Sequence, residues 1–268
     1  MRRAVLAAII LLFAMAGPVS AAPPPNDLLA GAISVPLPTT VTQSTVEATS
    51  DDFEESLNAS CGAPDVASGV WFEFTAAEDG FVAFDASESD YAVGIMVFPE
   101  VPTPENLLTC GPEQVSLEVT AGTTYSILAF GDGESPETSG TLVFEVREAV
   151  PPPDVELTVD PRGTVDRAGV VRLTGTASCT SEDGSGSLAD VFGDITQRVG
   201  RLVIRGFFGT FLDVPCDGTA HAWEAFAIGE NGVFAGGKAA TVTFAFACTD
   251  VCTEGFAETT VQLRRSGK

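Results

Sequence analysis

Catalysis in this chain would have to be built from very few parts. There is one histidine, His221, standing between Ala220 and Ala222 and two residues ahead of Trp223. A serine, threonine or cysteine nucleophile needs a base beside it. A histidine in a strand next to a turn reads instead as a structural hydrogen-bonding residue. Of the two lysines, Lys238 lies in a Gly-rich turn and Lys268 is terminal, and neither forms a Ser-x-x-Lys motif. Paired carboxylates can hydrolyse glycosides without a histidine, but with 37 acids such pairs arise by chance. Those at Glu78-Asp79, Asp132-Gly-Glu134 and Glu182-Asp183 fall in turns and read as solvated surface. A sugar cleft also needs aromatic walls, and the chain has only two Trp and two Tyr. Trp71 in mid-strand and Trp223 just past a cysteine read as core. So do the 18 Phe, most of them at alternating strand positions. An enzyme is not expected, and a hydrolase stands as a distant alternative.

One metal finds ligands of the right kind. Asp85, Glu88 and Asp90 stand close together between two strands, and an oxygen-rich loop at a sandwich edge can hold calcium with six to eight ligands. The spacing does not fit an EF-hand, and the competing reading is a hydrated acidic loop. No other cofactor is expected. The six cysteines are the remaining reactive groups. Cys248-x-x-x-Cys252 falls within zinc-ligand spacing, but one histidine and an exported chain favour three disulfides. Cys61 and Cys110 lie alone in the first half and should pair. In the second half the expected bridges are Cys179–Cys216 and Cys248–Cys252.

The export reading comes from the N-terminus. Arg2 and Arg3 precede an apolar run from Ala4 to Met15, Pro18 breaks it, and the small residues around Ala21 and Ala22 fit cleavage after either. The run is shorter than the roughly 20 residues of a membrane span. Residues 1–22 are therefore expected to be a signal peptide, and the mature chain secreted, extracellular and not inserted in a membrane. Net charge is −24. Such a surface repels phosphate backbones and anionic headgroups, so neither nucleic acid nor a membrane surface is an expected partner. The charge is uneven. Residues 23–150 carry 22 acids and the single base Arg147, whereas residues 154–268 carry 15 acids and 10 bases. This step, together with the linker Pro151-Pro-Pro153, marks two domains, 23–150 and 154–268. Three prolines favour an extended spacer that holds them apart at short range.

Both halves read as strands. Val70, Phe72 and Phe74 alternate with Trp71, Glu73 and Thr75; a turn follows, and Phe81 to Phe84 runs back. Tyr91 to Phe98 is nearly all apolar, as in a strand buried on both faces. Leu142, Phe144 and Val146 close the first domain. Asn26-Asp27 offers a helix cap to Leu28-Leu-Ala-Gly31, and Asp51-Asp-Phe-Glu-Glu55 reads as loop. In the second half, strands are expected near 191–197, 201–208, 220–228, 240–248 and 259–263. Val242, Phe244, Phe246 and Cys248 give the clearest alternation. Short strands at this spacing make an all-β fold of two sandwiches.

With those residues in view, the first domain resembles the bacterial pre-peptidase C-terminal domain family over about residues 26–147. The resemblance rests on Asn26-Asp27, Cys61-Gly62, Val70-Trp-Phe-Glu-Phe74, Gly80, Ser89-Asp-Tyr91, Cys110 and Ala121-Gly-Thr-Thr-Tyr125, in that order. It implies a jelly-roll-like sandwich that is not itself catalytic and that helps secretion, solubility or substrate attachment. The chain departs from the pattern in having Gly111-Pro112-Glu113 after Cys110, and Val93 where an acid is common. The second domain is similar to an uncharacterised family of small exported actinobacterial domains, through Val155–Gly175 and Cys216-Asp-Gly-Thr-Ala-His-Ala-Trp223. That resemblance implies an immunoglobulin-like sandwich with no assigned activity. The function expected is a secreted, non-catalytic binding or accessory protein whose partner is an extracellular protein or glycan. The alternative is a calcium-dependent adhesin.

Overall fold

The computed structural model describes residues 22–63 and 65–266. The signal peptide expected over residues 1–22 falls outside the described residues, Ala22 apart. No helix among the described residues is long and apolar enough to cross a membrane.

The first half is two packed sheets. Its strands are β1 (Ile33–Ser34), β2 (Thr39–Ser44), β3 (Val66–Thr75), β4 (Gly80–Asp85), β5 (Val93–Pro99), β6 (Thr109–Pro112), β7 (Gln114–Val119), β8 (Thr124–Asp132) and β9 (Thr141–Glu148). One sheet has the order β1-β3-β8-β5-β6 and the other β2-β9-β4-β7. The alternation of Val70, Phe72 and Phe74 aims three side chains at Phe84, Phe144 and Val146 of the facing sheet. Phe72 stacks on Phe144 with ring centroids 4.3 Å apart. The apolar run around β5 is buried on both faces, as a continuous run requires. Its second face, with Met96 and Phe98, joins Trp71, Leu128, Phe130 and Leu57 in a separate cluster under the Cys61–Cys110 bridge.

Two local expectations are corrected. Residues 51–55 are not loop but the start of α1 (Asp52–Leu57). Asp51 is its N-cap, accepting bonds from the backbone nitrogens of Phe53 and Glu54. Asn26 caps no helix either. It is fully buried, donates to the Trp71 carbonyl at 3.0 Å and accepts from Gln43, while Asp27 binds Thr49. The segment they precede is a single 3-10 turn, Leu29–Gly31, without a side-chain cap. These polar groups tie the chain's entry to β3 and to the segment ahead of α1, where they satisfy buried backbone that a single turn does not offer.

The second half contains β10 (Asp154–Val159), β11 (Arg162–Val165), β12 (Val171–Thr180), β13 (Ser187–Val199), β14 (Leu202–Pro215), β15 (His221–Ala227), β16 (Gly237–Cys248) and β17 (Cys252–Arg265). It too is a sandwich. β10, β12 and β15 form one layer, and β17, β16, β13 and β14 form the other. The short β11 joins the layers, pairing antiparallel with the start of β12 and parallel with the end of β17. Trp223 lies in the space between, stacked on Phe208 at 6.3 Å. Its indole donates to the Thr158 carbonyl at 3.1 Å. Cys179 and Cys216 are bridged nearby, and Cys248–Cys252 closes the β16–β17 hairpin.

The prolines do not hold the halves apart. Asp250, in the β16–β17 turn, takes both terminal nitrogens of Arg147 and the backbone nitrogen of Val150. Thr249 donates to the carbonyls of Val150 and Pro151. The spacer is short enough to let these groups meet.

Candidate functional site

Two of the three acids offered for calcium are spent on loop backbone. Asp85 accepts from the Ser87 amide at 2.8 Å, Asp90 from the Thr141 amide at 2.7 Å, and Glu88 is exposed. Among the described residues no group of three or more acid, histidine or cysteine side chains is arranged to hold a metal ion. The six cysteines are all bridged, so Cys248 and Cys252 are not zinc ligands. His221 begins β15 opposite Ala177, and its Nε2 is enclosed without a hydrogen-bond partner. Nothing there resembles a base aimed at a nucleophile. Trp71 and Trp223 are both core, as their positions suggested.

The phenylalanines are a different matter. The outward face of β14, β13, β16 and β17 carries a sheet-wide set of them, and register fixes the arrangement. Across the four strands one row reads Phe211, Asp190, Phe246, Glu254. The next reads Gly209, Phe192, Phe244, Phe256, and the third Phe207, Asp194, Val242, Glu258. Phe192 lies 6.4 Å from Phe207 and 5.6 Å from Phe244, which lies 5.4 Å from Phe256. These spacings are those of interacting aromatic pairs. The ladder is in water, with Phe207, Phe256 and Phe211 exposed by 55%, 58% and 88%. A contiguous apolar patch of this kind marks a contact surface.

The same face changes character toward the other end of its strands. The fourth row reads Arg205, Thr196, Ala240, Thr260; beyond it Val203 pairs with Arg198 and Lys238 with Gln262, and Arg264 lies further along β17. None of these bases is ion-paired; the salt bridges among the described residues are Arg147–Asp250 and Arg172–Glu224. The four acids of the aromatic end are equally unpaired. One oxygen of Asp190 is buried and accepts no hydrogen bond, a costly state for a carboxylate.

Two other features are chemically notable. A cavity of about 410 Å³ lies beside the Cys61–Cys110 bridge, walled by Val93, Gly94, Pro112 and Phe130. Glu54 is buried at 2% exposure against β3 of the same sheet, and burial pushes its pKa up to about 7 despite the bond it accepts from the Trp71 indole at 2.6 Å. Asp51 adds to the rise. The second oxygen of Glu54 has no partner and faces Gly69, where any side chain would collide with it.

Reading the phenylalanines of the second half as core is therefore wrong for this layer, Phe208 apart. In β16 it is Ala239, Thr241, Thr243, Ala245 and Ala247 that point inward, while Val242, Phe244 and Phe246 point out. The period is right and the phase inverted. Trp223, Phe208 and the Cys179–Cys216 bridge fill the space between the layers, leaving room for small side chains opposite. A signal for the true phase is present in β17. Phe256 shares its face with Glu254 and Glu258, whereas Val261 and Leu263 take the other.

No protein-family model matches the chain, and neither does any curated protein. Among solved structures, a GH2 β-galacturonidase from Eisenbergiella tayi is 10% identical with a TM-score of 0.24, covering 83% of this chain and 43% of its own. A Bacteroides uniformis β-glucuronidase 2 is 9% identical at a TM-score of 0.23, over 72% of this chain and 26% of its own. An exo-chitosanase from Amycolatopsis orientalis is 10% identical at 0.21, over 80% and 28%. The chain spans less than half the length of each. Likenesses this slight assign no activity.

Proposed function

We propose that this is an exported, non-catalytic binding or accessory protein whose contact surface is the phenylalanine–carboxylate face of β14, β13, β16 and β17. The observation that carries the reading is the ladder Phe207–Phe192–Phe244–Phe256, held in water by strands whose small residues face the core. Leaving several aromatic rings solvated forgoes stabilisation worth about 1.5–3 kcal/mol for each ring that could be buried. A surface kept that way suits docking. Export is supported by the N-terminal sequence and by three disulfides, and an accessory role by the resemblance of the first half to modules attached to exported enzymes. No specific observation favours the calcium-dependent or hydrolytic alternatives.

The test is retention of the full chain on arrays of extracellular glycans and immobilised envelope proteins, set against a Phe244→Ser/Phe256→Ser variant. The reading expects retention that the variant loses while its circular dichroism is unchanged. Equal retention of both proteins would remove the face from the function.

A further inference from the structure

We propose that the occupant of this face is a second copy of the chain, seated on it in antiparallel orientation. The proposal rests on the reading of the face as a contact surface, and it names the partner. The argument is one of shape and charge along the strands. One half of the face is bulky and acidic, with phenylalanines set among Asp190, Asp194, Glu254 and Glu258. The other half is low and basic, with Thr196, Ala240 and Thr260 beside Arg198, Arg205 and Lys238.

Homodimers close most often by a two-fold axis, so that one patch meets its own copy. For two sheets laid face to face, that axis lies in the plane of contact. If it runs along the strands, each end meets its like. Phe192 then crowds Phe244, and the base Arg198 opposes the base Lys238. If it runs across the strands, the ends exchange. The rings of Phe192, Phe244 and Phe256 then cover Thr196, Ala240 and Thr260 of the other copy and Asp190 comes under Arg198, while Asp194 and Glu258, in the middle row, meet their own copies across the axis. Arginine and lysine stems laid over the rings add cation–π attraction.

Three further points agree. The face sets four acids against the bases Arg198, Arg205, Lys238 and Arg264, with Asp213 exposed beyond Phe211, so the contact is close to neutral in a chain of net charge −24. None of those eight groups is ion-paired among the described residues. At about 4.8 Å per strand and about 6.7 Å per same-face residue, four strands and five rows span about 19 Å by about 34 Å, a flat projection on the order of 600 Å². A stable interface buries about 800 Å² of accessible surface on each partner. With side-chain relief the face approaches that size, which suits a reversible dimer.

The experiment is sedimentation equilibrium of the full chain, from low micromolar to near-millimolar concentration, at about 0.15 M salt where remote charges are screened. Wild type is expected to show a monomer–dimer equilibrium. Reversing the acidic end (Asp190→Lys/Glu254→Lys) or the basic end (Arg198→Glu/Lys238→Glu) should weaken dimerisation at least ten-fold. An equimolar mixture of the two variants should recover at least ten-fold over either alone, because each supplies the charge the other lost. Phe244→Ser/Phe256→Ser should be monomeric, with a melting curve that matches wild type at concentrations where wild type is itself monomeric. A wild type that stays monomeric throughout overturns the proposal, as does a dimer indifferent to these changes or a mixture that does not recover. Failure here is distinguishable from failure of the function above. A monomer whose phenylalanine variant still loses retention on the arrays keeps the contact face and gives it to a foreign partner.

Discussion

The guanidinium of Arg147 meets the carboxylate of Asp250 through both terminal nitrogens, at 2.8 and 2.9 Å. Arg147 is the single base among residues 23–150, and it is used to join the two halves. Gln114 and the Val150 amide bind the same carboxylate, so four donors from the first half and linker converge on one side chain of the second.

Replacing Asp250 by Asn should therefore loosen the junction. The bonds are charge-assisted and partly solvated, so the loss is set at about 1–2 kcal/mol, read by chemical denaturation. The Arg147 contact holds the Asp250 pKa down to about 2 from 3.8. A group depressed on folding contributes stability above its unfolded pKa and loses it as pH falls through the folded one. Wild type should lose this increment between about pH 4 and pH 2, and the Asp250→Asn variant should not.

Glu54 has the opposite sign. Its pKa is raised to about 7 from 4.5, chiefly by burial. The folded state holds a proton that the unfolded state has released, so stability falls as pH rises from about 4.5 to about 7 and is level above. Glu54→Gln keeps an acceptor for the Trp71 indole without the charge. It should stabilise the first half by roughly 2–3 kcal/mol at pH 8 and flatten that slope; a variant less stable than wild type at pH 8 refutes the burial argument.

Phe207 and Phe208 are neighbours in β14 on opposite faces, exposed by 55% and 1%. Phe208→Ala removes the ring under Trp223 and should cost about 3–5 kcal/mol. Phe207→Ser should change stability by no more than about 0.5 kcal/mol. Thermal melts of the pair check the phase of the strand directly.

Gly175 leaves room for the Trp223 ring to lie across β12, and a Cβ there would collide with the Thr158 carbonyl and the indole. Gly175→Ala should destabilise the second half by about 1–3 kcal/mol, with a red shift in tryptophan emission as the ring is displaced.

The two long bridges close loops with sequence separations of 49 and 37 residues, the short one only 4. On the chain-entropy model, removing either long bridge by paired Cys→Ala substitution should cost about 4 kcal/mol, and removing the short one about 2. Urea midpoints of the three double variants should fall in that order.

What can be read in advance divides along physical lines. Strand existence and the all-β sandwich are legible because alternation in β3 and β9, and the apolar run of β5, need nothing beyond local period. The role of Asp51 is also local: an acid three residues ahead of Glu54 is an N-cap spacing, hidden only because four acids in five residues read first as solvated loop. The candidate site is hidden for a different reason. In β16 both faces are built of residues that can be buried, so period alone leaves two phases, and side-chain volume selects the wrong one. Only pairing with β17, whose Glu254 and Glu258 must face water, resolves it. That is information carried by register, which a single strand does not contain. The junction is illegible on the same grounds, since Arg147 and Asp250 lie 103 residues apart in sequence.

The Cys248–Cys252 bridge closes the turn from which Thr249 and Asp250 reach the first half. The sulfur link thus does more for the junction than its four-residue span suggests: it fixes the shape of the prong before that prong finds its socket. A newly made chain kept under reducing conditions would carry the prong on an open hairpin, and its halves would dock weakly. Oxidation of Cys248 and Cys252 is then the event that readies the prong for its socket.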